Sequence, residues 1–126
     1  VMAYGKKPDG FNWQVGIKNP RHQGVIKTIP LEDEAVSTSG DYEKFFMIKG
    51  KRYAHIIDPR TGMPAQGCIS VTIIASDATT ADALATAVFV LGPTPGKILL
   101  DSLPNVKGIV YIEKDGKIIP AFSKGL

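Results

Sequence analysis

The chain has 126 residues, enough for one domain with a real core and short of what most two-domain enzymes need. Its hydrophobic fraction of 44% and charged fraction of 21% are globular values, which excludes a disordered or coiled-coil chain. A formal charge of +3, with Lys and Arg scattered along the sequence, argues against a nucleic-acid surface, and no run approaches the roughly 18 apolar residues of a membrane helix.

The chain opens on Val1 and runs at once into Tyr4-Gly5-Lys6-Lys7-Pro8-Asp9-Gly10, as if a domain were entered partway. After that Pro-Asp-Gly turn, Phe11 to Lys18 mixes aromatic and β-branched residues and is closed by Asn19-Pro20, which predicts a strand. Gly24 to Leu31 predicts a second. Glu32-Asp33-Glu34 is a charged connection, and Ala35 to Ser39 leads into the polar cluster Thr38-Ser39-Gly40-Asp41-Tyr42. Tyr42 to Ile48 and Arg52 to Ile57 predict a hairpin joined at Lys49-Gly50-Lys51, so His55 emerges at a strand end.

Ile69 to Ala75 is β-branched and nearly continuous in its apolar character, which predicts a central strand. Ser76 or Asp77 then caps a helix from Thr79 to Leu91, stopped by Gly92-Pro93, with Leu84, Ala87, Val88 and Leu91 on one face. A second helix is predicted from Pro95 to Leu103, and Val106 to Glu113 with Lys117 to Phe122 form a hairpin across Asp115-Gly116. With no internal repeat, this order predicts an α+β fold: a mostly antiparallel sheet with two helices on one side, in a single unit over residues 1–126.

Three segments carry chemistry. In His55-Ile56-Ile57-Asp58-Pro59-Arg60-Thr61-Gly62, an imidazole that can change charge near neutrality precedes a Pro/Gly turn. A turn needs neither Arg60 nor Thr61, so those two exceed what structure alone asks. Thr38-Ser39-Gly40 is either a hydroxyl-rich bend or an array of N–H groups for an anion. Asp82 and Thr86 stand four apart on the predicted helix, one turn above the other, an incomplete oxygen set of the kind Mg²⁺ takes when phosphate completes it. The plainer alternative is that Asp82 complements the helix dipole and Thr86 bonds back to a carbonyl. Together the segments point to a nucleotide and a metal. Cys68, the only cysteine, reads as a small buried residue, and His22 beside Arg21 as surface.

Lys7-Pro8-Asp9-Gly10 with Trp13-Gln14-Val15-Gly16-Ile17, Thr38-Ser39-Gly40-Asp41-Tyr42, the His55 to Gly62 octet, and Ala81-Asp82-Ala83-Leu84-Ala85-Thr86-Ala87 with Leu91-Gly92 resemble, in this order, the ApbE family of FAD:protein FMN transferases. The resemblance implies a T-fold-like C-terminal part of a domain about twice as long, the other half supplying most of the FAD cradle and a further metal ligand. It implies transfer of FMN from FAD to a threonine hydroxyl of a target flavoprotein, with release of AMP. In that scheme Asp82 and Thr86 bind Mg²⁺, His55 contacts phosphate or assists proton transfer, and Thr38, Ser39, Gly40, His55, Asp58, Arg60 and Thr61 belong to the FAD site. Asp58 and Thr61 there shape the loop, while Arg60 pairs with phosphate or with Asp58.

The family analogy further implies a bacterial lipoprotein at the periplasmic side of the inner membrane, although no export signal stands in this chain. A homodimer is compatible with the fold. The competing readings are a nucleotide-binding module without transfer, a FAD-hydrolysing variant, and a structural module pairing through an exposed sheet edge.

Overall fold

The computed structural model describes residues 1–126. Its elements are β1 (Trp13–Lys18), β2 (Val25–Leu31), β3 (Ala35–Gly40), β4 (Phe45–Ile48), β5 (Lys51–Ala54), β6 (Ile57–Asp58), β7 (Met63–Pro64), β8 (Ser70–Ala75), α1 (Ala78–Leu91), α2 (Pro93–Ser102), β9 (Lys107–Lys114) and β10 (Lys117–Phe122). The α+β expectation holds. A four-stranded sheet in the order β10-β9-β8-β3, antiparallel throughout, forms the middle layer. Both helices cover one face, α1 against β3 and β8, α2 against β9 and β10.

The strand period of two sorts this sheet into two cores. On the helix side, Ala35, Val71, Ile73, Ala75 and Val110 meet Ala81, Ala85, Val88, Phe89 and Leu100. On the other, Val36, Ile74, Ile109 and Tyr111 meet Ile17, Ile29 and Leu31 of the β1–β2 hairpin. Strand β8, buried along its whole length, is central, as its unbroken apolar run predicts. No helix is long and apolar enough to cross a membrane.

Several boundaries differ from expectation. Strand β1 starts at Trp13 because the N–H of Phe11 is held by Asp9 Oδ1 in the preceding turn. The buried face of α1 is Ala81, Ala85, Val88 and Phe89, and Ala87 is exposed: the helix meets the sheet through the small Ala81 and Ala85 together with the larger Val88 and Phe89, while Leu84 is only half-buried. Helix α2 starts at Pro93, with proline in the first turn where a missing N–H costs nothing. The predicted hairpin is shorter, with a two-residue turn in which Lys49 (φ 50°) and Gly50 (φ 77°) both adopt the left-handed region. Thr38-Ser39-Gly40 is no bend: it is the end of strand β3, in register with Thr72, Val71 and Ser70.

Candidate functional site

Strand β3 is the edge of the central sheet beside α1. Val36 exchanges both backbone hydrogen bonds with Val1, donating at 2.8 Å and accepting at 2.8 Å, so its backbone points away from β8. By the alternation of an antiparallel ladder, Ser37 and Ser39 pair with β8 while the N–H and C=O groups of Thr38 and Gly40 face outward. The side chains alternate as well. Ser37 and Ser39 point to α1, and Thr38 turns to the opposite face, its hydroxyl 2.8 Å from that of Thr72. Gly40 is required for packing, since a Cβ there would overlap the Tyr42 ring.

Two polar rungs connect β3 to α1. Ser37 Oγ donates to Asp82 Oδ1 at 2.8 Å, and Ser39 Oγ lies 3.2 Å from Thr86 Oγ1. The plainer explanation of this pair does not survive. The dipole end of α1 is served by Asp77, whose carboxylate accepts from Thr80 N at 2.8 Å and from Thr80 Oγ1 at 2.7 Å; these bonds hold its pKa below the ordinary value. Asp82 sits beyond the first turn, which holds no acid, and Thr86 bonds to Ser39 across the gap. Asp82 is solvent-exposed and forms no ion pair, and its Oδ2 has no protein donor.

The third wall comes from the segment after β5. His55 donates its backbone N–H to Lys44 O at 2.9 Å, and its Nδ1 lies 3.1 Å from the same oxygen. A carbonyl only accepts, so Nδ1 carries a hydrogen, and in the neutral imidazole Nε2 is the nitrogen with the lone pair. A cleft of about 540 Å³ brings His55, Ile56 and Ile57 together with Thr38, Ser39 and Gly40 of β3 and with Asp82 and Thr86 of α1, Glu43 standing at its rim.

The structure thus gathers Thr38, Ser39, Gly40, His55, Asp82 and Thr86, the first and third of them by backbone, and places Asp58, Arg60 and Thr61 outside the cleft. Arg60 grips Asp58 through two side-chain bonds, at 2.9 and 2.8 Å, and reaches Val90 O at 3.1 Å, tying the turn to the end of α1. The pair lowers the pKa of Asp58 and raises that of Arg60. Thr61 Oγ1 accepts from Met63 N at 3.1 Å, inside the same turn. These three residues brace the loop that delivers His55.

Ser37 and Lys44 were missed by sequence reasoning. Ser37 was legible, because strand alternation puts it on the same face as Ser39. Lys44 acts through its carbonyl, to which side-chain identity gives no clue. Also missed was Arg21, whose guanidinium meets Asp41 at 2.7 and 2.8 Å and Glu113 at 2.8 Å; those carboxylates, Asp41 foremost, raise its pKa further above the ordinary value. A second cleft of about 500 Å³ lies over this network, but Arg21, Asp41 and Glu113 there already satisfy one another.

The donor set at Asp82 and Thr86 fits a hard divalent cation: one carboxylate and one hydroxyl, oxygen only, a helical turn apart. No cluster of three His, Cys, Asp or Glu residues surrounds them in this chain, so Asp82 and Thr86 would supply only part of such an ion's coordination. The outward N–H groups of Thr38 and Gly40 suit an anion held beside it.

A model of the ApbE family matches residues 1–110. The FAD:protein FMN transferase of Treponema pallidum (strain Nichols) is 47% identical over 111 residues, covering 86% of this chain and 30% of that protein. That of Rhodobacter capsulatus is 36% identical over 116 residues, covering 91% of this chain and 21% of that protein. The chain therefore spans under a third of the length of these curated relatives. Among solved structures, the ApbE protein of Thermotoga maritima superposes with a TM-score of 0.83 at 43% identity, covering 95% of this chain and 38% of that one. The apo flavinyl transferase ApbE of Pseudomonas stutzeri gives a TM-score of 0.80 at 35% identity, covering 98% and 38%.

Proposed function

The chain belongs to the ApbE family, and on that premise we propose that it is the metal-bearing C-terminal portion of an FAD:protein FMN transferase. The reaction is displacement at phosphorus. A threonine hydroxyl of a target flavoprotein attacks the FMN phosphorus of FAD, a new P–O bond forms, the pyrophosphate P–O bond breaks, and AMP leaves. Such chemistry asks mainly for positioning and for neutralisation of developing charge.

The observation that carries this reading is the convergence of His55, Asp82 and Thr86 on one cleft with the open edge of β3. Asp82 and Thr86 would hold Mg²⁺, which when bound would supply Lewis-acid polarisation to the pyrophosphate. The N–H groups of Thr38 and Gly40 orient the phosphate oxygens. His55 Nε2, left free because Nδ1 is engaged by Lys44 O, takes the proton of the acceptor hydroxyl as it attacks. Asp58, Arg60 and Thr61 keep the loop in place.

Calorimetric titration of FAD into the chain, with and without Mg²⁺ and with Asp82→Ala, tests this assignment. Binding that needs both the metal and Asp82 is expected. Binding that ignores Mg²⁺ and is unchanged in Asp82→Ala would sink the metal assignment, and no binding at all would make these residues insufficient for the pyrophosphate site.

A further inference from the structure

The two rungs between β3 and α1 differ in polarity. In the first, Ser37 Oγ donates to Asp82 Oδ1 at 2.8 Å, and the direction is fixed because a carboxylate oxygen accepts. In the second, Ser39 Oγ and Thr86 Oγ1 lie 3.2 Å apart, and either hydroxyl can give the hydrogen. That separation exceeds the first rung and the usual hydroxyl–hydroxyl bond, so little commits the Ser39 hydrogen to Thr86.

Neither hydroxyl has a second partner in the protein. A helical threonine can donate back to the carbonyl four residues earlier, here that of Asp82, but Thr86 Oγ1 makes no such bond and meets only Ser39. Ser39 Oγ in turn meets only Thr86. The residue is half-buried, and it lines the cleft of about 540 Å³ that also holds Asp82 and His55.

We propose that the Ser39–Thr86 rung couples cation to anion: with a divalent cation on Thr86, Ser39 becomes a hydroxyl donor to a phosphate oxygen of the bound nucleotide. This deepens, and rests on, the reading of Asp82 and Thr86 as metal ligands. A hydroxyl has one hydrogen and two lone pairs. When Thr86 Oγ1 gives a lone pair to a dication, it becomes a poorer acceptor and a stronger donor, and its hydrogen turns to the one protein acceptor within reach, Ser39 Oγ. Ser39 then has no acceptor in Thr86, so its own hydrogen is released into the cleft. There it joins the outward N–H groups of Thr38 and Gly40, its neighbours on β3. Without the cation the direction of the rung is open, and Ser39 shares its hydrogen with Thr86. Ser37 cannot take this part, because its hydrogen is held by Asp82. The rung therefore favours a phosphate that binds together with a cation over a phosphate that binds alone.

The test is a calorimetric titration of FAD into the chain without Mg²⁺ and at saturating Mg²⁺, the readout being the ratio of the two affinities. Mg²⁺ alone is titrated in parallel and followed through the amide NMR signals of residues 82–86. Ser39→Ala, its fold confirmed by its amide spectrum, should reduce the ratio about tenfold, the loss expected for one hydrogen bond to a charged group, while affinity for Mg²⁺ alone stays within about twofold. Ser39→Thr keeps the hydroxyl on a residue suited to a strand and should restore the ratio. Because coupling is reciprocal, Mg²⁺ affinity measured in saturating FAD should fall by the same factor in Ser39→Ala.

An unchanged ratio in Ser39→Ala overturns the proposal. So does an equal loss of affinity for Mg²⁺ alone, which would make Ser39 a prop for Thr86, and so does an equal loss of FAD affinity with and without Mg²⁺, which would make it a constant donor. Asp82→Ala separates this proposal from the reading beneath it. A Mg²⁺ effect that disappears in Asp82→Ala but is untouched by Ser39→Ala keeps the metal site and removes the coupling. A Mg²⁺ effect that persists in Asp82→Ala, or a wild type that binds FAD equally with and without Mg²⁺ or fails to bind it, overturns both.

Discussion

The Nδ1 of His55 and the carbonyl oxygen of Lys44 lie 3.1 Å apart, and that oxygen also receives the His55 backbone N–H at 2.9 Å. One peptide oxygen thereby fixes both where the imidazole stands and which of its nitrogens is free. His55→Gln removes the free base while keeping an amide able to donate to Lys44. Flavin transfer, followed by mass spectrometry of the acceptor, should fall by about 10²- to 10⁴-fold, the usual worth of a positioned base, with FAD affinity within a few-fold of wild type. Equal losses of both would reassign His55 to phosphate binding.

Ser37 is not itself a proposed metal ligand, yet it donates to Asp82 Oδ1 at 2.8 Å. Groups that orient a metal ligand commonly contribute ten- to hundredfold to metal affinity. Ser37→Ala is therefore expected to weaken Mg²⁺-dependent FAD binding roughly tenfold, and Ser37→Thr to restore it. Asp82→Ala abolishes it. A calorimetric series in which Ser37→Ala binds as wild type would remove Ser37 from the site.

Arg21 and Asp41 are both largely buried, with side-chain exposures of 15% and 12%. Removing the guanidinium leaves a mostly buried carboxylate with only Arg52 at 4.0 Å to answer it. Arg21→Met should cost about 3 kcal/mol in urea unfolding, because stranding one charge costs more than the intact pair contributes. A loss under about 1 kcal/mol would mean that Arg52 moves in to replace Arg21.

Burial pushes the Cys68 thiol up from 9.0 to about 12. At pH 8 the folded protein should react with a thiol-specific disulfide reagent only through unfolding, and readily once denatured in urea. The linkage has a definite sign. The unfolded chain loses this proton first as pH rises, so the stabilising contribution of the neutral thiol is complete below pH 9 and is lost between about pH 9 and pH 12. Cys68→Ala should flatten that part of the stability profile.

Local pattern alone determined most of the elements. The β-branched run at Ile69 to Ala75, the alanine-rich stretch stopped by Gly92-Pro93, the Asp77 cap and the Asp115-Gly116 turn act within a few residues of themselves, and each appears in the structure close to where the sequence places it. The four-residue spacing of Asp82 and Thr86 likewise guaranteed that they share a helix face. Periodicity, however, says which residues share a face and not what that face will meet.

Tertiary structure alone decided that α1 would dock with Ala87 outward, that Ser37 and Ser39 would oppose Asp82 and Thr86 while the hydroxyl of Thr38 turned to Thr72, and that Arg60 would reach Val90 O. Each of these outcomes depends on partners distant in sequence, whose pairing register and helix rotation are set by the burial of the two cores as a whole.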